Sequence, residues 1–247
     1  MVQNLLITRF SNTIINAVWN AQFIDNVQIV FKETIGVDGR GGYFDNYGII
    51  RDVMQNHLLQ IVSLISMEQP LSLHSYDIRD EKVRVLKAIE PLKLKDTVIG
   101  QYVGNGTQPG YLEDPTVPKD SLTATFAATV LYVLVRDIMG RRINTPRWAG
   151  VPFYLKCGKA LDESKAEIRI QFKDMGCPLF SNTNRNELVL RVQPDTAIYM
   201  KTNIKSPGIE TMPVLGELDM TYKKKYDFAL PEAYERLILD IIRGDHR

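Results

Sequence analysis

The sequence contains few cysteines, little net charge and no long apolar run. Of 247 residues only two are cysteine and three are histidine, in no spacing that suits zinc, so neither a disulfide framework nor a metal is expected. The 30 basic and 29 acidic side chains leave a net charge of +1, which removes the electrostatic argument for a nucleic-acid partner. No apolar run approaches the roughly 18 residues of a membrane span. These absences favour a soluble protein in a reducing, cytoplasmic setting.

A glycine-rich segment is the most informative feature that is present. Five glycines lie between Gly36 and Gly48, and glycine lets the backbone take positive φ angles and approach a ligand closely. The segment follows a strand predicted over Val27–Glu33, which ends on a carboxylate. A helix with an apolar face is predicted to begin near Tyr47. We interpret this strand, turn and helix as a small-molecule site.

The predicted helix carries two candidate functional groups, Asp52 and His57. His57 falls within the apolar face, where it suits either a core histidine or a general base whose pKa the apolar wall holds near neutrality. Asp52 is either a solvated charge on the helix or a residue that lines a site around the start of the helix. At ~100° per residue of α-helix the two lie about 140° apart, so they are not predicted to form a dyad.

Periodicity predicts helices in the first part of the chain, a series of strands in the second part and a closing helix. The glycine- and proline-rich stretch from Gly100 to Lys119 is predicted to be a surface loop, and Lys223–Lys225 a solvated turn. The predicted helices are Leu5–Val18, the one through His57, Asp80–Ile89 and Glu232–Arg243. The later predicted strands are Phe126–Val135, Val151–Leu155, Glu167–Phe172, Glu187–Gln193, Ala197–Lys201 and Glu217–Tyr222.

Several of these strands alternate strictly, so each is predicted to have one apolar and one polar face. The polar face suits either a solvated surface or a site for a nucleotide-like ligand or a second subunit, because it offers cations for phosphates and an aromatic ring for stacking. Two lysines between Gly158 and Lys165 add weak support for an anion site. The polar residues are Arg169, Gln171, Arg191, Gln193, Tyr199, Lys201, Asp219 and Thr221.

No glycine-rich coenzyme loop of the Gly-x-Gly-x-x-Gly or Walker type occurs, which argues against a doubly wound coenzyme fold. The chain does resemble the glucose-6-phosphate dehydrogenase family, specifically its large β+α substrate domain, over nearly its whole length. The resemblance implies an α+β fold with a large, mostly antiparallel sheet and helices packed on one face. The resemblance is carried, in order, by FKETIGVDGRGGYFDNYGIIRDVMQNHLLQ, IRDEKVRVLKAI, GQY, GYLEDPTVP, RWAGVPFYLKCGKALDESKAEIRIQFKD, RNELVLRVQP and LPEAYERLILD.

The resemblance implies oxidation of glucose 6-phosphate to 6-phosphogluconolactone with NADP as the hydride acceptor. It implies that His57 is the general base, which replaces the core-histidine interpretation. It implies that Glu33 and Asp52 hold sugar hydroxyls and that Lys159 and Gln193 make further substrate contacts. It also implies a second, structural NADP on the polar sheet face, close to a sheet-mediated interface of a homodimer or tetramer. The matching residues are Lys156, Lys165, Arg169, Arg191, Tyr199, Lys201, Asp219 and Thr221.

The chain also departs from the family pattern. The resemblance implies a single substrate-binding and dimerisation domain over residues 1–247, without the family's N-terminal Rossmann coenzyme domain and final C-terminal segment. An Asp-His-Tyr-Leu-Gly-Lys motif that orients the base is expected just before Met1 and is not in the sequence. The family usually has arginine at the position of Ser164, and Val133–Arg142 resembles an insertion.

Two further hypotheses stay open beside the dehydrogenase. One is a non-catalytic module that binds NADP or pairs with full-length subunits through its sheet. The other is a sugar-phosphate isomerase that uses Glu33 and His57 alone, which no other part of the sequence supports.

Overall fold

The computed structural model describes residues 4–136, 142–143, 147–174, 176, 178–180, 183–209, 211–221 and 233–244. Its helices are α1 (Asn4–Phe10), α2 (Thr13–Val18), α3 (Gly41–Ile49), a π-helix (Ile50–Leu58), α4 (Leu59–Ser66), α5 (Ser75–Ala88) and α6 (Ala233–Ile242), with 3₁₀ turns at Leu94–Asp96 and Tyr111–Glu113. Its strands are β1 (Ile24–Lys32), β2 (Thr97–Gly100), β3 (Phe126–Leu131), β4 (Val135–Arg136), β5 (Arg142–Ile143), β6 (Phe153–Gly158), β7 (Lys165–Phe172), β8 (Glu187–Gln193), β9 (Ala197–Lys205) and β10 (Pro213–Thr221).

Eight strands form one sheet in the order β10-β9-β8-β7-β1-β6-β3-β2. Every pairing in it is antiparallel except that of β1 with β6, which is parallel. The π-helix packs against β1 and β6 on one face of the sheet. The α+β fold with a mostly antiparallel sheet and helices on one face is therefore confirmed.

The predicted elements are present with shifted limits. The predicted opening helix is two helices, because the chain turns at Ser11, whose hydroxyl donates to the carbonyl of Ile7 at the end of α1. The strand predicted to reach Val135 ends at Leu131, and strand β2 at the edge of the sheet was not predicted. Lys223–Lys225 lies outside the described residues. So do residues 137–141 of the predicted insertion, which stays a prediction.

The core lies between the helices and the inner face of the sheet. Ile29, Leu155 and Ile168 on three neighbouring strands are fully or almost fully buried, as are Leu58 and Val62 on the helices. Successive residues of a strand point to opposite faces, so the strict alternation of β1 and β7 places one apolar row here. No helix of the described residues is long and apolar enough to cross a membrane.

The carboxyl end of α4 is buried, and three side chains satisfy its last carbonyl groups. The Arg9 guanidinium donates to the carbonyls of Leu64 (2.6 Å) and Met67 (2.7 Å). The indole N–H groups of Trp19 and Trp148 donate to the carbonyls of Ile65 (3.0 Å) and Ser66 (2.9 Å). The final carbonyls of a helix have no partner within the helix, so these contacts replace the water that burial excludes.

Burial has a cost for the cation itself. It lowers the pKa of Arg9 to about 9, with a smaller contribution from Arg147. The side chain is 1% exposed and stacks its guanidinium near the rings of Phe10 and Trp19. The two hydrogen bonds and the aromatic contacts must therefore outweigh the desolvation of the charge.

We expect Arg9→Met to lower the free energy of unfolding by about 3 kcal/mol, because it leaves two buried carbonyls without donors. Arg79→Met is the matched control, since Arg79 is an exposed arginine of helix α5. Urea titration followed by circular dichroism measures both. A loss in Arg9→Met no larger than that of the control would contradict the assigned capping role.

Candidate functional site

Two of the predicted site residues meet where parallel strands end. Glu33 directly follows β1 and Lys159 directly follows β6, and the carboxyl ends of parallel neighbours reach the same edge of a sheet. The Glu33 amide donates to the carbonyl of Gly158 (3.0 Å), which fixes the two chain ends side by side. The Lys159 ammonium Nζ lies 2.6 Å from Glu33 Oε2. The geometry thus forms a half-buried ion pair from residues 126 positions apart.

A cleft of about 370 Å³ opens beside this pair. It brings together Glu33, Asp52 and Lys159, three residues that the resemblance implies contact the substrate. The glycine-rich segment supplies most of its remaining wall. The lining residues are Glu33, Ile35, Gly36, Val37, Asp38, Arg40, Tyr43, Phe44, Asp52 and Lys159.

Asp52 and His57 belong to the π-helix, which changes their relation. Hydrogen bonds in a π-helix link residues five positions apart, so Asp52 and His57 lie on about the same side. The predicted separation of about 140° assumed α-helical geometry and is wrong for this segment. Asp52 is half-buried and close to Cys157, whose pKa is raised to about 12 by burial first and then by the Asp52 charge. The Asp52 carboxylate therefore lies near the carboxyl end of β6, beside the first cleft.

His57 is exposed and is not a core histidine. The interpretation that placed it within the apolar face is wrong, because the π-helix shifts the buried positions to Val53, Met54 and Leu58. Within the described residues its imidazole makes no hydrogen bond or ion pair. It is a free basic group at the edge of the core.

His57 and Gln193 line a second cleft of about 500 Å³ between the helix and the sheet. The sequence placed Gln193 on the polar face with Arg191. This placement is wrong, because a bulge interrupts the pairing of β7 with β8. Glu167 pairs with Arg191, but the adjacent Ala166 pairs with Gln193, so Gln193 lies on the face opposite to Arg191. The strands β1 and β7 supply Phe31 and Ile168 to its wall. Since Phe31 lines this cleft and Glu33 lines the first, both clefts lie at the carboxyl end of β1.

The connector after β6 is tied back to β1. Ser164 Oγ accepts from the amide of Thr34 (3.1 Å) and lies 3.0 Å from Thr34 Oγ1. The Lys32 ammonium binds Asp162 (3.1 Å) and Glu163 (3.0 Å). Ser164 therefore joins the two strand ends by neutral hydrogen bonds at the position where the resemblance led us to expect a cation.

The loop after β2 holds the glycine-rich segment in place, a role that the sequence did not predict. The Tyr111 hydroxyl donates to Asp45 (2.8 Å), and the Ser121 hydroxyl also donates to Asp45. The Val37 amide donates to the Tyr102 hydroxyl (3.1 Å). Hydrogen bonds from Ser121 first, and also from Tyr111, lower the pKa of Asp45, so this anchor is ionised at neutral pH.

Tyr111 is fully buried, so the stretch Gly100–Lys119 is more than the predicted surface loop. Burial and the contact with Asp45 raise the pKa of its phenol, which keeps the hydroxyl a donor. The available signal was the pair of tyrosines, Tyr102 and Tyr111, in an otherwise polar stretch. Large aromatic side chains bury well and need a partner for their hydroxyl.

The polar face of the sheet has the predicted members apart from Gln193. The register places Arg169, Tyr199 and Asp219 in one row that crosses four strands, and Gln171 with Lys201 in the next. Arg191 and Thr221 form a third row. Lys165 lies on β7 with Arg169, and Lys156 lies on β6; the three side chains line a cleft of about 250 Å³.

Two buried carboxylates, Glu167 and Glu187, neutralise most of these cations. Arg169 donates to Glu187 (2.7 Å) and Glu167 (2.9 Å), Lys165 pairs with Glu167 (3.4 Å) and Lys201 pairs with Glu187 (3.6 Å). The Tyr199 hydroxyl donates to Glu167 (3.3 Å), and burial followed by this charge raises its pKa to about 12. Sequence reasoning missed both carboxylates, although the same alternation places them on the face that carries Arg169 and Arg191.

Lys156 and Arg191 keep their charges available. Within the described residues Lys156 makes no hydrogen bond or ion pair and lies over the ring of Phe126. Arg191 uses its Nε to reach the Asp195 carbonyl (3.2 Å), while its guanidinium lies over Tyr199. Two cations, each over its own aromatic ring, suit the phosphates of a dinucleotide. No group of three metal-ligating side chains occurs among the described residues.

Gly48 interrupts α3 two residues before the π-helix begins, in a conformation with φ 66° and ψ 167° that is essentially restricted to glycine. We expect Gly48→Ala to lower the free energy of unfolding by about 1–3 kcal/mol, since a Cβ there also meets Thr123 Cγ2 at 3.2 Å. Gly42→Ala is the matched control, because Gly42 is helical with an ordinary 3.5 Å contact, and it should stabilise by about 0.5–1 kcal/mol. Denaturant titration measures both. Equal effects of the two substitutions would contradict the strain at Gly48.

The sheet and its clefts define an α+β domain with charged side chains gathered at the ends of two parallel strands. A profile described as glucose-6-phosphate dehydrogenase, C-terminal domain, matches residues 6–247. The chain belongs to that family.

The chain is also similar to individual proteins and structures of this name. It is 55% identical over 249 residues to the glucose-6-phosphate 1-dehydrogenase of Emericella nidulans, covering 100% of this chain and 47% of the relative. It is 54% identical to the glucose-6-phosphate 1-dehydrogenase 5, cytoplasmic, of Arabidopsis thaliana, covering 100% of this chain and 45% of the relative. The chain thus spans about half the length of these relatives.

Two solved structures superpose well. A glucose-6-phosphate dehydrogenase in complex with its substrate glucose 6-phosphate has a TM-score of 0.89 at 50% identity, over 99% of this chain and 49% of that one. The glucose-6-phosphate 1-dehydrogenase from Mycobacterium avium has a TM-score of 0.83 at 32% identity, over 99% of this chain and 50% of that one.

Proposed function

We propose that this chain is the substrate-binding and subunit-pairing domain of an NADP-dependent glucose-6-phosphate dehydrogenase. The observation that carries the proposal is the joining of Glu33, Asp52, Lys159, His57 and Gln193 around the carboxyl end of β1, in a chain of this family. These residues come from three strand ends and one π-helix, so their convergence is a property of the fold.

The first cleft suits a sugar ring. Glu33 and Asp52 present carboxylate oxygens that accept hydrogen bonds from hydroxyl groups, and fixed acceptors orient the ring for reaction. The ion pair with Lys159 holds the Glu33 carboxylate in one position, which reduces the cost of ordering it when substrate binds.

His57 suits the base. Removing the proton from the anomeric hydroxyl raises the electron density on its carbon while hydride departs, and histidine is the side chain that most often takes up such a proton. The imidazole is exposed and has no hydrogen-bond partner within the described part of the chain, so both ring nitrogens are available. Gln193 on the same cleft wall can orient a substrate hydroxyl beside it.

A nicotinamide coenzyme, when bound, supplies the hydride acceptor. The sequence has no coenzyme loop and the chain spans about half of its relatives, so we propose that a separate dinucleotide-binding domain acts with it. Lys156, Lys165, Arg169, Arg191, Tyr199, Lys201, Asp219 and Thr221 are proposed to hold a second NADP on the polar sheet face. Among them Lys156 and Arg191 would make the new charge contacts.

The same sheet is proposed to pair two subunits. Strand β10 is the outer strand of the eight-stranded sheet, and Leu215 and Leu218 on it are exposed. An exposed outer strand with apolar side chains is a surface that proteins normally cover. These features support a homodimer or tetramer formed through this region. A cytoplasmic location is proposed from the name of the Arabidopsis relative, which states it for that protein.

We expect His57→Asn in the protein at its natural full length to lower kcat by ~100-fold or more, because it removes the general base. The measurement is NADPH formation with glucose 6-phosphate. His74→Asn is the matched control, since His74 is exposed at the start of α5, and it should leave kcat unchanged. Full turnover by His57→Asn would overturn the assignment of the base. No turnover by the unsubstituted protein would overturn the dehydrogenase.

The alternative is a non-catalytic module that binds NADP or pairs subunits, and the ordered polar face favours it specifically. We expect saturating NADP to raise the melting temperature of this chain through preferential binding to the folded state. Arg191→Ala should abolish that rise. Arg185→Ala, which removes an exposed arginine paired with Asp25 (2.7 Å), should leave the rise intact. The absence of any rise with unsubstituted protein would count against the second NADP site.

A further inference from the structure

The ion pair between Glu33 and Lys159 has a third member, the aromatic ring of Phe44. The Lys159 ammonium lies 2.6 Å from Glu33 Oε2 and 5.5 Å from the centroid of the Phe44 ring. A cation within about 6 Å of a ring centroid is attracted by the negative face of the ring. Phe44 is 3% exposed, so water competes little for this contact. Two groups thus hold the ammonium, a carboxylate and a ring.

The Phe44 ring is itself held by two tyrosines of the loop after β2. Its centroid lies 6.0 Å from that of Tyr111, with the ring planes at 76°, and Tyr102 meets Tyr111 in the same way at 5.8 Å and 75°. Aromatic pairs favour this edge-to-face arrangement. The Tyr111 hydroxyl donates to Asp45, and the Tyr102 hydroxyl accepts from the Val37 amide. Both tyrosines are therefore tied to the segment that carries Phe44.

Two glycines allow the loop to pack directly on this segment. A Cβ at Gly36 would lie 2.7 Å from the Tyr102 hydroxyl oxygen, and a Cβ at Gly41 would lie 2.6 Å from Thr116 Oγ1. Real Cβ atoms do not come so close to a neighbour, so any larger residue would move the loop away. The close approach keeps the tyrosines in contact with Phe44.

The contact with Phe44 matters because a lysine side chain is flexible. Its ammonium is a point charge on a four-carbon stem, and ordering such a side chain when a ligand binds lowers the affinity. A buried ring that attracts the ammonium restricts the stem before any ligand arrives. The charge of Lys159 in turn keeps the Glu33 carboxylate in place. The cost of ordering both groups is then met on folding and not on binding.

We propose that Phe44 is a positioning residue, which holds the Lys159 ammonium and, through it, the Glu33 carboxylate in the arrangement that receives the substrate. This rests on the proposed function of the first cleft. The attraction is electrostatic, so it depends on the electron density of the ring face as well as on the shape of the ring.

The test replaces Phe44, in the protein at its natural full length, by phenylalanines whose rings carry one or three fluorine atoms. These rings have nearly the same shape, but fluorine withdraws electron density from the ring face and weakens its attraction for a cation. We expect KM for glucose 6-phosphate to rise with the number of fluorine atoms, about threefold or more for the trifluorinated ring, with kcat within about twofold. Phe44→Leu, which removes the ring, should raise KM at least as much.

Lys159→Met provides the decisive background, because it removes the cation and keeps an unbranched stem. In this background fluorination of Phe44 should leave kcat/KM unchanged. Fluorination of Phe172, a half-buried ring packed against the core, is the matched control and should leave KM unchanged. A constant KM across the fluorinated Phe44 series would overturn the proposal. An equal effect in Lys159→Met would also overturn it, since this would mark a packing effect that does not involve the cation.

A measurement without substrate separates this proposal from the dehydrogenase itself. Trifluorination of Phe44 should lower the melting temperature, and this shift should shrink by about half or more in Lys159→Met. If the unsubstituted protein oxidises glucose 6-phosphate and the shift is the same in both backgrounds, the dehydrogenase stands and the role of Phe44 fails. If the shift shrinks but the unsubstituted protein does not oxidise glucose 6-phosphate, the dehydrogenase fails and the positioning of Lys159 by Phe44 is still supported.

Discussion

The parallel pairing of β1 with β6 is the constraint on which the candidate site depends. The other pairings of the eight-stranded sheet are antiparallel, so neighbouring strands end at opposite edges. This one pairing brings two carboxyl ends to the same edge, and the chain places Glu33 after one and Lys159 after the other. A shift of either strand by one residue would turn the adjoining side chains to the other face and separate the pair.

The helix above these strands is held from both ends. Gly48 allows the break at its beginning, while Arg9, Trp19 and Trp148 satisfy the carbonyls at its end. Between them the π-helix packs Val53 and Leu58 into the core and leaves His57 exposed. Helix geometry of this kind is frequent at functional sites. Here it places Asp52 and His57, five positions apart, on about the same side of the helix.

The two faces of the sheet differ in their content of charged side chains. The helix side is apolar up to the strand ends, where a few charged groups line clefts. The opposite face is a network in which Glu167 and Glu187 hold Arg169, Lys165 and Lys201 in place. Such a network keeps several cations ordered at low net charge.

Sequence patterns by themselves determined most strands and the two faces of the sheet, because alternation is a local property. The α+β class followed from the family resemblance. Family resemblance indicated which charged residues to consider. Only the tertiary structure decided that Glu33 and Lys159 form a pair, that a bulge turns Gln193 toward His57, and that the loop carrying Tyr111 anchors Asp45. The physical reason is that strand pairing, ladder register and the choice between α- and π-hydrogen bonding depend on the packing of distant segments, which no local pattern encodes.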